Sequence, residues 1–270
     1  MRHPYFDVSL PIPIGHRGAA GEAPENTLVS FERAVAEGAA ILESDVHVTR
    51  DGEIVLLHDD TVDRTTDGHG RLLGLTLAEV KRLDAGYRFS ADGGRSHPFR
   101  GGGVRIPTLD EAFAALPEAR FNLEIKETDA GAIERVVGIV AEAGRAPTTL
   151  LTAASDPTMA ALRAELRATG VAAALGASTG DVLGFVRGAV EGGEPPSDSM
   201  ALQIPPSFGG DPLVTRELVA YAHRHGVQVH VWTINDRDEM ARLLDLGVDG
   251  IISDFPGRVA ALIAERRARA

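Results

Sequence analysis

The sequence predicts an α/β protein of the (β/α)8 barrel (TIM barrel) class, and three observations lead to that prediction. Short apolar runs with strand character alternate with helical patterns along nearly all of the 270 residues. About eight such units in a chain of this length are typical of a closed parallel barrel. The main alternative, a doubly wound dinucleotide-binding sheet, needs a G-x-G-x-x-G turn after its first strand, and that turn is missing here.

The individual elements are predicted from the spacing of apolar residues and from capping signals. Strands are expected near residues 12–15, 40–46, 121–125, 149–152, 172–175, 201–204, 228–233 and 250–253. Helices are expected at residues 27–37, 109–116, 130–143, 158–168, 180–191, 212–225, 237–246 and 256–267. The expected N-caps are short polar residues that can accept from free helical amides: Asn26, Asp156, Asp211 and Asp236.

One segment departs from this alternation. Residues 49–52 have the composition of a hairpin turn, so residues 53–57 should return antiparallel to the second strand. The Gly-rich residues 59–107, with a short helix near 76–83, are expected to form a small insertion over the C-terminal face of the barrel. Residues 1–270 are therefore interpreted as one barrel domain carrying this insertion.

Composition narrows the classes of function. A formal net charge of −12 argues against a nucleic-acid partner and against an anionic membrane surface. The absence of cysteine excludes disulfides and thiolate metal sites. Neither a signal-peptide pattern nor an apolar run of about 18 residues is present, so we expect a cytoplasmic protein without stable membrane association. The oligomeric state is left open.

Two charged pairs interrupt apolar strands at i, i+2 spacing, namely Glu43 with Asp45 and Glu124 with Lys126. Residues two apart in a strand share a face, and ionised groups are rarely buried there without a partner or a metal. The carboxylates Glu43, Asp45 and Glu124 suit one hard divalent cation, Mg²⁺ or Ca²⁺, with Mn²⁺ as a further candidate. The alternative is a buried salt-bridge cluster with Lys126 and Arg17.

Two histidines are expected beside this acidic group, because His16 follows the first strand and His58 follows the hairpin. A pair of histidines flanking a phosphorus centre can act as general base and general acid near neutral pH. Arg17 can bind phosphate oxygens with its planar guanidinium, and Lys126 can add a point charge.

Three further residues are candidates for substrate contacts. Trp232, the only tryptophan, ends an apolar run and is expected to form a wall for the apolar part of a substrate. Gln203 ends a predicted strand on the same face of the barrel. Glu25 lies at a helix start and is predicted to meet the ligand or the metal.

These residues lie in motifs that closely resemble those of the glycerophosphodiester phosphodiesterase family. The motifs follow the family's order over residues 14–256, although residues 128–200 carry no family signature. Ser253 stands where threonine is expected. The matching segments are Gly15-His16-Arg17-Gly18, Glu25-Asn26-Thr27, Glu43-Ser44-Asp45-Val46, Thr49-Arg50-Asp51-Gly52, His58-Asp59, Arg64-Thr65-Thr66, Leu83-Asp84-Ala85-Gly86, Ile106-Pro107-Thr108-Leu109, Glu124-Ile125-Lys126, Trp232-Thr233-Ile234-Asn235 and Gly247-Val248-Asp249-Gly250-Ile251-Ile252-Ser253-Asp254.

The resemblance implies metal-dependent hydrolysis of a small glycerophosphodiester to glycerol 3-phosphate and an alcohol, through a cyclic phosphate. It implies a metal on the three carboxylates, His16 and His58 as the acid–base pair, and phosphate binding by Arg17 and Lys126. Two alternatives stay open. One is a lysophospholipase D-type or other phospholipase activity on a related barrel, and the other is an inactive barrel that binds a phosphorylated metabolite.

Overall fold

The computed structural model describes residues 3–126 and 130–269, in which strands and helices alternate. The strands are β1 (Ile12–Gly15), β2 (Ile41–Val48), β3 (Ile54–Leu56), β4 (Arg120–Ile125), β5 (Thr149–Thr152), β6 (Ala174–Leu175), β7 (Ala201–Ile204), β8 (Ser207–Phe208), β9 (Asp211–Pro212), β10 (Gln228–Val231) and β11 (Gly250–Ser253). The helices are α1 (Leu28–Ala36), α2 (Leu77–Val80), α3 (Leu109–Ala115), α4 (Ala130–Glu142), α5 (Asp156–Thr169), α6 (Thr179–Glu191), α7 (Arg216–Arg224), α8 (Arg237–Leu246) and α9 (Pro256–Arg269). None of these helices, within the described residues, is long and apolar enough to cross a membrane.

Eight parallel strands form the barrel wall in the order β6, β5, β4, β2, β1, β11, β10, β7. β3 instead pairs antiparallel with β2, as the hairpin prediction required. The barrel is nearly closed. In the described part of the chain no strand ladder joins β6 to β7, but the Met200 N–H donates to the Leu175 carbonyl over 2.8 Å. The structure therefore confirms the predicted (β/α)8 class.

Side-chain alternation along β2 separates the barrel interior from the layer of helices. Ile41 packs in the interior cluster, whereas Leu42 packs in the cluster that the strands share with the helices. The N-terminal Tyr5 is fully buried in the same interior cluster and closes the N-terminal end of the barrel. Glu43 and Asp45 follow Ile41 on the inner face, so they point into the opposite, C-terminal end.

The largest departure from the predicted elements lies before α7. A helix was expected from residue 212, but β8 and β9 form a hairpin there, with Phe208 opposite Asp211. Its turn is Gly209-Gly210, with φ values of 61° and 95°, and two residues with positive φ make the turn that suits a tight hairpin. The helix begins only after Thr215, whose side chain accepts from the Leu218 amide. Thr215, and not the predicted Asp211, is therefore the N-cap of α7.

Two other predicted N-caps are wrong by one residue. Thr27 caps α1 in place of Asn26, and Ser155 caps α5 in place of Asp156. The reason for the first difference is that Asn26 adopts a positive φ of 55° and uses its side chain in the barrel interior. Asp236 caps α8 as predicted.

The segment of residues 59–107 leaves the wall at its C-terminal end, where the Leu57 N–H donates to the Asp45 carbonyl. Its apolar residues, including Val62, Leu72 and Val80, form a small cluster together with Val55 of β3 and Leu57. The predicted short helix is α2, which is limited to one turn and carries a capping box.

Candidate active site

A cavity of about 520 Å³ opens at the C-terminal ends of the barrel strands, and its lining has two parts. The charged half comes from β1, β2, β4 and the residue after Leu57, and consists of His16, Arg17, Glu43, Asp45, His58, Glu124 and Lys126. The apolar half comes from α6 and from β7 to β10, and consists of Val182, Leu183, Ile204, Phe208, Leu213 and Trp232. Gln203 also lines the cavity. Of the predicted site residues, only Glu25 lies outside this lining.

The carboxylates of the charged half come together because β2 and β4 are in register. Asp45 lies opposite Glu124, and Glu43 lies two residues earlier on the same face of β2. Lys126 joins the two strands, since its Nζ is 2.9 Å from Asp45 Oδ1 and 2.8 Å from Glu124 Oε2. The ammonium therefore occupies the space between two carboxylates that the sequence assigns to a metal.

Arg17 adopts a left-handed backbone conformation with φ of 49°, which turns its amide and its side chain toward the acidic residues. The Arg17 N–H donates to Glu43 Oε2 over 3.0 Å, and the guanidinium Nε lies 3.4 Å from Asp45 Oδ2. Its Nη1 donates to Glu25 Oε1 over 2.8 Å. Arg17 thus contacts three carboxylates and also lines the cavity.

The pKa values of Glu43 and Asp45, the two carboxylates on β2, are shifted in opposite directions. Burial alone would raise the pKa of Asp45, but the charges of Lys126 and Arg17 outweigh it and the pKa is lowered. Burial, together with the negative charge of Asp45, raises the pKa of Glu43 to about 7. Among the described residues, Glu43 forms no side-chain ion pair, whereas Asp45 lies beside both Arg17 and Lys126, so the charge of Glu43 is less compensated than that of Asp45.

His16 is held by an aspartate from the far end of the chain. Its Nδ1 lies 2.6 Å from Asp254 Oδ1, and the other oxygen of Asp254 accepts from Asn235 Nδ2 over 2.6 Å. Because a carboxylate can only accept, His16 Nδ1 carries the proton and Nε2 is free to act on a substrate. Burial alone would lower the pKa of His16. The hydrogen bond to Asp254 and the negative charge of Glu43 together outweigh burial, so the pKa is raised.

His58 has the same arrangement with a neighbouring aspartate. Its Nδ1 lies 2.7 Å from Asp59 Oδ1, and Arg64 Nε donates to Asp59 Oδ2 over 2.6 Å. Burial would raise the pKa of Asp59, but Arg64 and His58 lower it to about 2. Arg64 also donates two hydrogen bonds to Glu25, which in turn binds Arg17. Glu25 is thus occupied by two arginines behind the cavity.

Gln203 and Trp232 face the cavity from the side opposite the carboxylates. Both side-chain amide atoms of Gln203 are buried, and neither has a hydrogen-bond partner within the described residues. An unpaired buried amide is costly, so this position is ready to bond a ligand or a water molecule. Trp232 is 42% exposed and directly follows β10. Its neighbour Thr233 has its Oγ1 3.5 Å from His16 Nε2.

The residues predicted as metal ligands fit a hard cation in donor type, because all three are carboxylates on one cavity. Glu43 also suits a cation because, in the part of the chain that the structure describes, no side-chain ion pair offsets its negative charge. Their present arrangement is not a finished cage: in the described residues, no three His, Cys, Asp or Glu side chains are grouped so that they could hold a metal ion. Lys126 is paired with Asp45 and Glu124, so a cation binding there would have to displace the ammonium.

The sequence analysis did not assign roles to the residues that orient the histidines. Asp59 and Arg64 had a local signal, since they lie one and six residues after His58 in matching motifs. Asp254 is 238 residues from His16, and only the closure of β1 against β11 brings the two together. Leu183 and Phe208 had no signal of this kind.

Comparison with known proteins adds four similarities. A sequence profile of the Glycerophosphoryl diester phosphodiesterase family matches residues 16–258. A glycerophosphodiester phosphodiesterase of Caldanaerobacter subterraneus subsp. tengcongensis is 31% identical over 255 residues, covering 93% of this chain and 96% of that protein. A lysophospholipase D of Rattus norvegicus is 30% identical over 275 residues, with coverages of 91% and 84%. The structure of an Oleispira antarctica phosphodiesterase, in complex with the product sn-glycerol-3-phosphate, is similar at a TM-score of 0.73 and 28% identity, covering 94% and 97% of the two chains.

Proposed function

This chain belongs to the glycerophosphoryl diester phosphodiesterase family, and we propose that it hydrolyses glycerophosphodiesters to glycerol 3-phosphate and an alcohol. The observation that carries this proposal is the cavity in which two histidines, each bound through Nδ1 to an aspartate, accompany an arginine and a lysine. This set supplies two proton-transfer groups and two cations, which are what phosphodiester cleavage by an internal hydroxyl requires.

In the first step, the glycerol hydroxyl next to the phosphate-bearing carbon attacks phosphorus, and the bond from phosphorus to the alcohol oxygen breaks. His16 Nε2 accepts the hydroxyl proton, because Asp254 holds the proton of Nδ1 on the other side of the ring. Protonated His58 gives its Nε2 proton to the departing alcohol, and Asp59 stabilises the protonated ring beforehand. A cyclic phosphate of glycerol remains in the cavity.

In the second step, water attacks phosphorus and the newly formed bond to the glycerol oxygen breaks. His58, now neutral, accepts a proton from water, and protonated His16 returns its proton to the glycerol oxygen. Both histidines thereby regain their starting states, and glycerol 3-phosphate is released. Each histidine exchanges the roles of acid and base between the two steps.

Arg17 and Lys126 are proposed to bind the non-bridging phosphate oxygens. Both cations already line the cavity and lie within about 3–3.5 Å of carboxylate oxygens, so their charge is fixed in place before substrate arrives. A phosphate dianion-like transition state would gain more from them than the singly charged diester does. Gln203 can add a hydrogen bond from the opposite side of the cavity.

The proposal includes one divalent cation, Mg²⁺, Ca²⁺ or Mn²⁺, held by Glu43, Asp45 and Glu124. When bound, such a cation lowers the pKa of a coordinated hydroxyl and offsets charge on phosphoryl oxygens. Support comes from the all-oxygen donor set and from the poorly compensated charge of Glu43.

The direct test is release of glycerol 3-phosphate from glycerophosphocholine by the purified protein. The reaction is run with EDTA and then with added Mg²⁺, Ca²⁺ or Mn²⁺. Release only with metal supports both the reaction and the cation. Release that persists in EDTA contradicts the metal requirement alone. No release from any glycerophosphodiester, with phosphate-ester binding retained, favours an inactive barrel.

The order of the histidines is tested with a leaving group that needs no proton. His16→Ala and His58→Ala should each lose at least about 100-fold of activity on glycerophosphocholine. On the p-nitrophenyl diester of glycerol 3-phosphate, we expect His58→Ala to recover most of its activity and His16→Ala to recover little. The reverse pattern would exchange the two roles.

We further propose that residues 59–107 work as part of the same domain rather than as a separate unit. Val55 forms an antiparallel bridge to Thr108, so both ends of the segment are tied to the barrel. Val29 of α1 packs against its apolar cluster, and Arg64 links it to Glu25.

A further inference from the structure

The side-chain amide of Gln203 is buried at the wall of the cavity without a partner. Gln203 is the third residue of β7, and it shares the inner face of that strand with Ala201, which packs in the barrel interior. Neither Nε2 nor Oε1 of Gln203 forms a hydrogen bond within the described residues. A buried amide that is unpaired at both atoms is costly, so its position on a cavity indicates a polar ligand group.

The backbone beside Gln203 leaves room for this amide. Gly176 directly follows β6, and its N–H donates to the Leu151 carbonyl over 3.0 Å. A Cβ added at Gly176 would lie 2.7 Å from Gln203 Oε1 and 2.5 Å from Thr152 Oγ1. A larger residue at this position would therefore push the amide or the threonine away. The glycine thus lets the amide reach the end of β6 beside the cavity.

A hydroxyl is the group of a glycerophosphodiester that suits this amide best. Nε2 of Gln203 donates and Oε1 accepts, and a hydroxyl can both accept and donate. Phosphoryl and ester oxygens only accept, so either of them would leave Oε1 unpaired. The quaternary ammonium of choline has no hydrogen to donate and no lone pair to accept with. A hydroxyl therefore satisfies both atoms of the amide, and the other groups do not.

The topology of the barrel indicates which hydroxyl reaches Gln203. β7 lies opposite β2 in the wall, with β1, β11 and β10 between them on one side and β4, β5 and β6 on the other. His58 follows the hairpin that β3 forms with β2, so the departing alcohol lies on the β2 side. In-line attack places the entering and leaving oxygens on opposite sides of phosphorus. The glycerol carbons therefore extend away from His58 and across the cavity toward β7.

From this placement we propose that Gln203 determines specificity by binding the terminal hydroxyl of the glycerol, an assignment that rests on the proposed function. Nε2 donates to the hydroxyl oxygen, and Oε1 accepts its hydrogen. The hydroxyl that attacks phosphorus lies at His16 Nε2, so the two hydroxyls of glycerol have separate partners. An acyl or alkyl group on the terminal oxygen removes the hydrogen that Oε1 needs. The protein therefore prefers diesters in which both glycerol hydroxyls are free.

The first test changes the substrate and leaves the protein intact. Glycerophosphocholine is compared with the phosphocholine diester of propane-1,2-diol, which keeps the attacking hydroxyl and lacks the terminal one. We expect kcat/KM for choline release to fall at least about tenfold, because the buried amide of Gln203 is then left unpaired. The terminal methyl ether of glycerophosphocholine should lose at least as much. Equal rates for the glycerol and propanediol diesters would overturn the proposal.

A hydroxyl on the departing alcohol is the competing occupant of this position. The glycerophosphodiesters of propanol and of propane-1,3-diol differ only in such a hydroxyl, and choline is absent from both. Their rates of glycerol 3-phosphate release should be nearly equal if Gln203 binds the glycerol. A larger effect of the hydroxyl on the alcohol than of the hydroxyl on the glycerol would assign Gln203 to the alcohol and overturn the proposal.

Variants connect the preference for the terminal hydroxyl to this amide. In Gln203→Met, which keeps the length of the side chain, kcat/KM for glycerophosphocholine should fall about tenfold and the preference over the propanediol diester should nearly disappear. Gly176→Ala should reduce the same preference, because the new Cβ displaces an amide that is still present. A preference that is unchanged in Gln203→Met would refute the assignment.

The matched control is Gln228→Met, which changes the only other glutamine of the chain. Gln228 is buried outside the cavity lining, and its Nε2 also has no partner in the described part of the chain. This variant should keep the wild-type preference. Each preference is a ratio of two rates in one protein, so a change in stability cancels. Loss of the preference in Gln228→Met would show that it does not depend on the amide of Gln203.

Binding of the product separates failure of this assignment from failure of the proposed reaction. Calorimetry compares glycerol 3-phosphate with propane-1,2-diol 1-phosphate, on the native protein and on Gln203→Met. If no diester is cleaved but the native protein alone binds glycerol 3-phosphate more tightly, the assignment stands and the reaction falls. If the two ligands do not differ in the native protein, or if the difference persists in Gln203→Met, the assignment falls even when diesters are cleaved.

Discussion

Replacing Asp254 with asparagine changes the protonation of His16 while leaving the shape of the site nearly unchanged. Asp254 has two acceptor oxygens, one bound to His16 Nδ1 and one bound to Asn235 Nδ2. An amide has only one acceptor oxygen. If that oxygen stays with Asn235, the amide NH₂ faces His16 and forces Nδ1 to accept. The proton of neutral His16 then lies on Nε2, and the ring cannot act as a base there.

The size of the effect follows from the bond that is lost. A hydrogen bond to a charged group is worth about 1.5–3 kcal/mol, and this one is short, at 2.6 Å, between side chains that are 17% and 25% exposed. If the bond strengthens as His16 takes up the substrate proton, its loss lowers kcat/KM by about 10- to 150-fold. The KM for glycerophosphocholine should change little, because Asp254 does not line the cavity.

The assay is the pH dependence of kcat/KM, with the pKa of His16 measured separately by NMR. In the native protein the pKa of His16 is raised, in part by Asp254. Removing that charge lowers the pKa, so the acidic limb of the profile, along which the base becomes protonated, moves to lower pH while the plateau falls. A plateau and an acidic limb that both match the native protein would refute the reasoning.

The structure offers a matched control in a second histidine–aspartate pair. His223 Nε2 lies 2.8 Å from Asp249 Oδ2, away from the cavity lining. Asp249→Asn should lower stability, because Asp249 also accepts from the Val229 amide, but it should leave the pH profile of activity in place.

Three further substitutions test other parts of the structure. Arg145→Met should lower the free energy of unfolding by about 3 kcal/mol in urea titration, because buried Arg145 bonds three backbone carbonyls before β4 that would lose their donor. Gly18→Ala should cost at least about 2 kcal/mol and reduce activity, since Gly18 has φ of 88° and a Cβ would lie 2.6 Å from the Ser30 carbonyl carbon. Arg64→Met should lower kcat about tenfold with little change in KM, and Arg64→Lys should not restore it, because only the guanidinium binds both Asp59 and Glu25.

Each of these substitutions has a control of the same chemical type. Arg167→Met removes an exposed arginine and should change stability by no more than about 0.5 kcal/mol. Gly52→Ala has a similar φ of 86° but no atom within 4 Å of the new Cβ, so it isolates backbone strain from the clash at Gly18. Arg71→Met removes an arginine whose side chain is 71% exposed. If a control matches its test variant, the specific contact is not the cause.

The charged half of the site was largely predictable because its residues obey local rules. Spacing of two within a strand placed Glu43 and Asp45 on one face, and the hairpin signal returned His58 to their level. The features that could not be predicted depend on contacts between residues distant in sequence, or on a segment whose sequence suits two local structures equally well. Asp254 reaches His16 only after the barrel closes, and Pro212 suits a helix start as well as the end of a hairpin.

Glu25 shows a third reason for limited prediction. A carboxylate near other charged groups can bind a metal or can be neutralised by arginines, and composition alone does not distinguish these states. The structure gives Glu25 two arginine partners, and their hydrogen bonds and charges lower its pKa although burial acts in the opposite direction. Whether it also meets a ligand stays a prediction.

The strands of the barrel differ in how firmly they are joined, and this has a consequence for how the protein can change. β2 and β4 are held together by six register pairs, whereas no strand ladder joins β6 to β7 in the described residues. Leu183 belongs to the helix that follows β6, and Phe208 belongs to the hairpin that follows β7. Because a ladder is missing there, we expect local opening to be easier between β6 and β7 than between the strands that carry the carboxylates. We therefore expect the Met200 amide to exchange with deuterium sooner than the Leu123 amide. Mutations at the gap between β6 and β7 can therefore change which substrates bind while the reacting groups keep their positions and their chemistry.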